Sequence, residues 1–194
     1  DLYQQSYDYF ERPESLYSRS LTTWVEVYKI LHWEFPPKDL EFHFNNMSED
    51  YLESVSAEEA ALHMRLLRSM KEKSFIFNHS YNEEGKFHQV ILCCPTKFES
   101  FKMLVGTLAA KSINILGAKI YVRKDGVVII TIHAEETERL AEDNLETWKT
   151  LTQDLKEIFE GSKKLSILLA ERTQYVTETR PIETSNPKVL IDNT

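Results

Sequence analysis

Glycine and cysteine are both scarce in this sequence of 194 residues, which holds five glycines and two cysteines. No two glycines stand in the spacing of a phosphate-cradling loop, and no Asp-x-Asp pair is present, so nucleotidyl transfer lacks its usual ligands. Cys93 and Cys94 are adjacent, whereas disulfide frameworks and zinc sites need separated pairs. We therefore expect buried, reduced thiols and a cytoplasmic location.

Basic clusters, long apolar runs and paired metal ligands are also missing. The net charge is -8, and an acidic chain is a poor ligand for nucleic acid. No apolar stretch approaches the roughly 20 residues that span a bilayer. None of the six histidines is followed by Asp, and His43 and His63 stand far apart in the sequence. With no Gly-x-Ser-x-Gly motif either, we expect no catalytic residues, no metal and no cofactor.

The first third of the chain has the periodicity of helices. Apolar residues recur at helical spacing up to Leu31, and Pro36 and Pro37 predict an end near Phe35: Leu21, Trp24, Val25, Tyr28 and Leu31. Residues 38–55 are interpreted as a connector with a short helix at 47–52. Ser56 and Glu59 form a capping box, which opens a helix with a predicted buried face of Ala57, Ala60, Ala61, Met64, Leu67 and Met70. Residues 1–72 are thus predicted to be a helical region.

The pattern changes to strands after residue 73. Residues 74–81 alternate apolar and polar side chains, and with 87–94 they predict a β-hairpin. A helix follows with the stripe Phe98, Phe101, Leu104, Val105 and Leu108. Strands at 113–123 and 127–133 flank an Asp-Gly turn, and then come a helix at 138–159, a shorter one at 165–171 and a final strand at 188–192. Gly161 is a predicted C-cap.

This order of elements predicts an α+β fold. From Phe87 onward it reads βαββαβ, the ferredoxin-like arrangement, with an antiparallel sheet and both helices on one face. The strand at 74–81 is an extra N-terminal strand. We predict two domains, 1–72 and 73–194.

Three segments resemble one family. Ser112–Gly126, which reads Ser-Ile-Asn-Ile-Leu-Gly-Ala-Lys-Ile-Tyr-Val-Arg-Lys-Asp-Gly, resembles the first ACT domain of bacterial PII uridylyltransferase/uridylyl-removing enzymes. The connector that precedes this domain in the family is similar to Met47, Tyr51, Leu52 and His63 here. The family's closing strand is similar to Pro187–Asn193. The resemblance spans residues 43–194.

The resemblance implies a regulatory role. Enzymes of that family carry nucleotidyltransferase and metal-dependent hydrolase domains and act on the PII signalling protein, and this region would be non-catalytic and report glutamine. It implies a ligand site in which Thr96, Lys97, Glu99 and Ser100 form the turn before a helix, with Asn114 and Ile115 on the neighbouring strand. ACT modules commonly pair side by side. The partners implied are a small amino acid, a second copy of the chain, PII, or the parent's catalytic domains.

Two departures from the family pattern leave a second interpretation open. Glu99 stands where the family has a glycine whose backbone amides approach the amino acid, and Gly117 stands where it has Asp. These changes favour an ACT-like interaction or dimerisation scaffold without ligand, whereas Asn114 and Ile115 favour the sensor. A third interpretation, an independent enzyme, requires a nucleophile or metal set that no spacing reveals.

Overall fold

A computed structural model describes residues 19–70, 73–95, 99–136 and 144–179 of the chain. The helices are α1 (Arg19–Leu31), α2 (Pro37–Asn46), α3 (Glu49–Ser54), α4 (Ala57–Ser69), α5 (Ser100–Ala110), α6 (Asn144–Phe159) and α7 (Leu165–Thr179). The strands are β1 (Ile76–Asn82), β2 (Phe87–Pro95), β3 (Ile113–Val122) and β4 (Val127–Glu136). The chain is therefore an α+β protein, as predicted.

The helices α1 to α4 lie within the predicted helical region, of which residues 1–18 and 71–72 are outside the described residues, and they correct the connector. Residues 37–46, interpreted as irregular, form α2, because Pro37 occupies the first turn, where a missing N–H costs nothing. The predicted capping box is confirmed on its N-cap side, since Ser56 Oγ accepts from the Glu59 amide at 3.1 Å. Four of the six predicted inward side chains of α4 are buried, whereas Leu67 and Met70 are only partly buried.

The strands form one antiparallel sheet in the order β1-β2-β4-β3. The hairpin strand β1 pairs with β2 from Ile76 opposite Cys93 to Asn82 opposite Phe87. It therefore takes the position beside β2 that a βαββαβ fold gives to its last strand. The predicted closing strand at 188–192 lies outside the described residues, so the complete βαββαβ order stays a prediction.

Helices cover both faces of the sheet. Residues of α1 to α4 share one buried cluster with Ile91, Tyr121 and Ile129 of the sheet. The opposite face packs Leu92, Ile130 and other residues of β2 and β4 against α5 and α6. Because neighbours on a strand point to opposite faces, Cys93 joins the first cluster and Cys94 the second. Both side chains are buried and neither forms a disulfide, as predicted. The boundary at 72/73 stays a prediction.

Two helices of the second half differ in detail from the prediction. In α5 the buried side chains include Ser100, Leu104 and Leu108, whereas Phe101, expected inside, is 40% exposed. Leu104 and Leu108 of the predicted stripe are thus confirmed as buried, Phe101 is wrong, and Phe98 lies outside the described residues. The predicted start of α6 at 138 lies outside the described residues. Gly161 has φ +78° directly after α6, as expected of a C-cap glycine, and α7 runs past the predicted end at Glu171 to Thr179.

Candidate functional site

The turn before α5 is described only in part, since Thr96 and Lys97 lie outside the described residues. Glu99 is exposed, and its carboxylate lies 3.4 Å from Lys102 Nζ. The backbone at Glu99 has φ -97° and ψ -6°, which any L-residue adopts, so a glycine is not required there. Ser100 is buried, and its Oγ has no hydrogen-bond partner among the described residues.

Asn114 and Ile115 lie at the beginning of β3. Asn114 is exposed, and its Nδ2 donates to Glu135 Oε1 at 2.6 Å. Ile115 is partly buried and packs against the α5–α6 cluster. A β-bulge follows, because Ile115 and Gly117 pair with the consecutive residues Ala134 and His133. A Cβ at Gly117 would meet nothing within 4 Å, so the family's Asp has room there.

The two groups of predicted site residues lie at opposite ends of the sheet. Pro95, just before the turn, pairs with Val127 at the start of β4, whereas Asn114 pairs with Glu135 near its end. These β4 positions are eight steps apart, or about 26 Å at roughly 3.3 Å a residue. Within one chain the two groups are therefore too far apart to hold the same small ligand. A shared site needs a second chain or module.

The edge strand β3 carries exposed apolar side chains. Leu116, Ile120 and Val122 are 54%, 47% and 55% exposed. Ile120 and Val122 pair with Ile130 and Val128, so they point to the α5–α6 face of the sheet, where those neighbours are buried. We call Leu116, Ile120 and Val122 the β3 patch. Uncovered apolar side chains on an edge strand are typical of an interaction surface.

A buried polar chain connects the helical region to the sheet. His43 Nε2 lies 3.2 Å from Tyr51 Oη, which lies 3.0 Å from His63 Nδ1. His63 Nε2 in turn lies 3.2 Å from Thr131 Oγ1 on β4. His43 and His63 are isolated from each other in the sequence, although Tyr51 and His63 both belong to the segment that resembles the family's connector. The feature that His43, Tyr51 and His63 share is an inward position on three successive helices, and it could have indicated their contact.

The hydrogen positions in this polar chain follow from the groups beside it. The Glu59 carboxylate, 3.9 Å from His63 Nε2, favours a proton on that nitrogen. Nδ1 of His63 then accepts from the Tyr51 hydroxyl, and the Tyr51 oxygen accepts from His43 Nε2. Burial lowers the pKa of both histidines to about 3, with a smaller contribution from Arg123 at His43 and from Lys119 at His63. Both rings are therefore neutral at pH 7, and the polar chain is a structural connection between the helices and the sheet.

No protein-family model matches the chain. The resemblance to the uridylyltransferase family therefore depends on the three sequence segments alone. In the described residues, no group of three or more His, Cys, Asp or Glu side chains is placed to hold a metal ion. Of the helices between Arg19 and Thr179 that the structure describes, none has the length and apolarity needed to cross a membrane.

Proposed function

We propose that this chain is a non-catalytic regulatory module of the ACT type that binds a small amino acid, with glutamine the first candidate, between two modules paired along β3. The observation that carries the proposal is the β3 patch beside Asn114. Burying apolar side chains that are about half exposed stabilises association by roughly 25 cal/mol per Å². The expected parent is a PII uridylyltransferase-like enzyme, in which the paired module is a second ACT domain.

Side-by-side pairing would unite the separated halves of the site. If two β3 strands pair antiparallel about an axis at Ala118, Asn114 of one chain lies opposite Val122 of the other. Val122 lies at the end of the sheet where β2 leads into the turn before α5, since Val122 pairs with Val128 and Pro95 with Val127. Asn114 would then share one end of the joined sheet with the partner's Glu99 and Ser100.

A charge in the β3 patch should prevent this pairing. We expect Ile120→Asp to weaken self-association at least about 100-fold, because the interface would bury an unpaired carboxylate. The matched control is Ile167→Asp, since Ile167 is 51% exposed on α7, away from β3. Sedimentation velocity over a concentration series measures both. A parent chain that stays monomeric at every concentration would contradict pairing between copies.

Glutamine binding should depend on Asn114. We expect calorimetric titration to show saturable binding by the parent chain, and Asn114→Ala to weaken it about tenfold, since one hydrogen bond contributes roughly 0.5–1.5 kcal/mol. Ile120→Asp should weaken glutamine binding as well, and Ile167→Asp should not. Glutamine bound with unchanged affinity by monomeric Ile120→Asp would refute a site between modules.

The alternative is a scaffold that pairs without ligand, and Glu99 is the observation that favours it. Its exposed carboxylate at the first turn of α5 would repel the carboxylate of an amino acid, although Lys102 partly offsets its charge. The same experiments separate the two functions. Self-association with no heat from any amino acid at millimolar concentration would support the scaffold.

A further inference from the structure

A cavity lies within one chain, at the end of the sheet where β2 begins and β4 ends. Its volume is about 560 Å³, within the range of roughly 300–1,000 Å³ typical of small-molecule sites. The hairpin β1–β2, the last residues of β4 and the first half of α6 surround it. One wall is aromatic, and the Glu136 carboxylate lies beside it.

The aromatic wall is a stack of rings built on Trp148. The His79 ring lies parallel to the Trp148 ring, with centroids 3.7 Å apart, and His88 contacts the same indole at 4.6 Å. His79 Nε2 lies 2.8 Å from His88 Nδ1, and Tyr81, which is 48% exposed, contacts His88. Burial lowers the pKa of His79 to about 4 and also lowers that of His88, although Glu136 opposes the shift at His88. Near pH 7 the wall is therefore aromatic and uncharged.

The carboxylate of Glu136 lies beside this aromatic wall and is held by neutral donors. Its Oε1 accepts from Trp148 Nε1 and lies 3.5 Å from His88 Nε2, and its side chain is only 8% exposed. Glu135 also lines the cavity, but as the preceding residue of β4 it sends its side chain to the other face of the sheet, where Oε1 accepts from Asn114. No lysine or arginine of the described residues forms an ion pair with Glu136, although Lys86 lines the cavity. The cavity thus combines an aromatic wall with one largely buried carboxylate.

We propose that this cavity binds a small organic amine, with its ammonium group at the Glu136 carboxylate and its apolar or planar body against Tyr81. Carboxylates and aromatic faces both attract an ammonium ion, and the attraction grows as the site loses water. The site lies within one chain and goes beyond the proposed amino-acid site between modules.

The test uses three compounds that share one body and differ in charge: phenethylamine, phenethyl alcohol and 3-phenylpropionate. In calorimetric titrations near pH 7.5, phenethylamine should bind saturably, the alcohol at least about tenfold more weakly, and the propionate not measurably. Glu136→Gln keeps an acceptor for Trp148 Nε1 and removes the charge, so phenethylamine affinity should fall about tenfold or more. Glu160→Gln, at an exposed position after α6, is the matched control.

Further variants keep the test decisive. Tyr81→Ala, at a half-exposed position, should weaken phenethylamine without unfolding the chain, so the proposal remains testable if Glu136→Gln does not fold. Monomeric Ile120→Asp should bind phenethylamine with parental affinity, whatever it does with glutamine. Equal binding of the three compounds, unchanged affinity in a folded Glu136→Gln chain, or loss of amine binding in Ile120→Asp would each overturn the site.

Discussion

The free energy of unfolding should fall by on the order of 5 kcal/mol between pH 6.5 and about pH 4.5, because His43 and His63 are buried as neutral rings. Their folded pKa values of about 3 lie below the ordinary 6.5. The unfolded chain therefore binds more protons than the folded chain across this window, and stability falls as the pH falls. Each ring contributes about 1.4 kcal/mol per pH unit. Domains are commonly stable by about 5–15 kcal/mol, so acid unfolding well above pH 3 is expected.

Urea unfolding at a series of pH values measures this effect through its slope. Between about pH 5.5 and 4.5 the parent chain should take up at least about two protons on unfolding, with His79 adding a further part because its pKa is lowered to about 4. His43→Leu should lower the slope by about one proton, whatever its effect on stability near neutral pH. A flat free energy of unfolding down to about pH 5 would show that both imidazoles gain protons freely in the folded chain.

Removing the hydroxyl that connects the two rings should be the most costly single-atom change. Tyr51→Phe leaves His43 Nε2 and His63 Nδ1 buried without partners, and each orphaned group costs about 1–3 kcal/mol. We expect the free energy of unfolding to fall by about 2–4 kcal/mol in urea titrations near pH 7.5.

Tyr121→Phe is the matched control for this loss. It also removes one buried tyrosine hydroxyl, but within the described part of the chain that group shares a single, part-buried hydrogen bond, with Ser54 Oγ at 3.1 Å. Its cost should be about 1 kcal/mol. Equal losses in the two variants would mean that the histidines find other partners, and the polar chain would then not be a specific connection between helices and sheet.

Local patterns predicted the elements of this fold well. The strand alternation, the Asp-Gly turn and the N-cap at Ser56 were each correct because they depend on neighbours in the sequence. The helix α2 was missed because Pro36 and Pro37 were interpreted only as a stop, although Pro37 also suits a helix start. Phe101 was predicted to be buried because its side chain is apolar, whereas the packing of α5 buries Ser100 instead.

The site could be predicted only where it depends on single segments. Asn114 was placed correctly on a strand, but its distance from the turn at Glu99 follows from the pairing of β2, β3 and β4. The contact between His43 and His63 through Tyr51 joins three helices, and its last partner, Thr131, is 68 residues from His63. No periodicity encodes a contact of that range. The cavity beside Trp148 likewise combines a hairpin, a strand end and a helix.

The two edges of the described sheet differ in a way that limits growth. On β1 the alternating residues Asn78, Ser80 and Asn82 are polar, whereas β3 carries the apolar patch. Head-to-tail contact of β3 with β1 would repeat without end and build filaments. Contact of β3 with another β3 consumes both apolar edges at once and leaves only polar strands outside. If the proposed pairing forms, association therefore ends at a pair, and a concentrated solution of the protein should resist fibre formation.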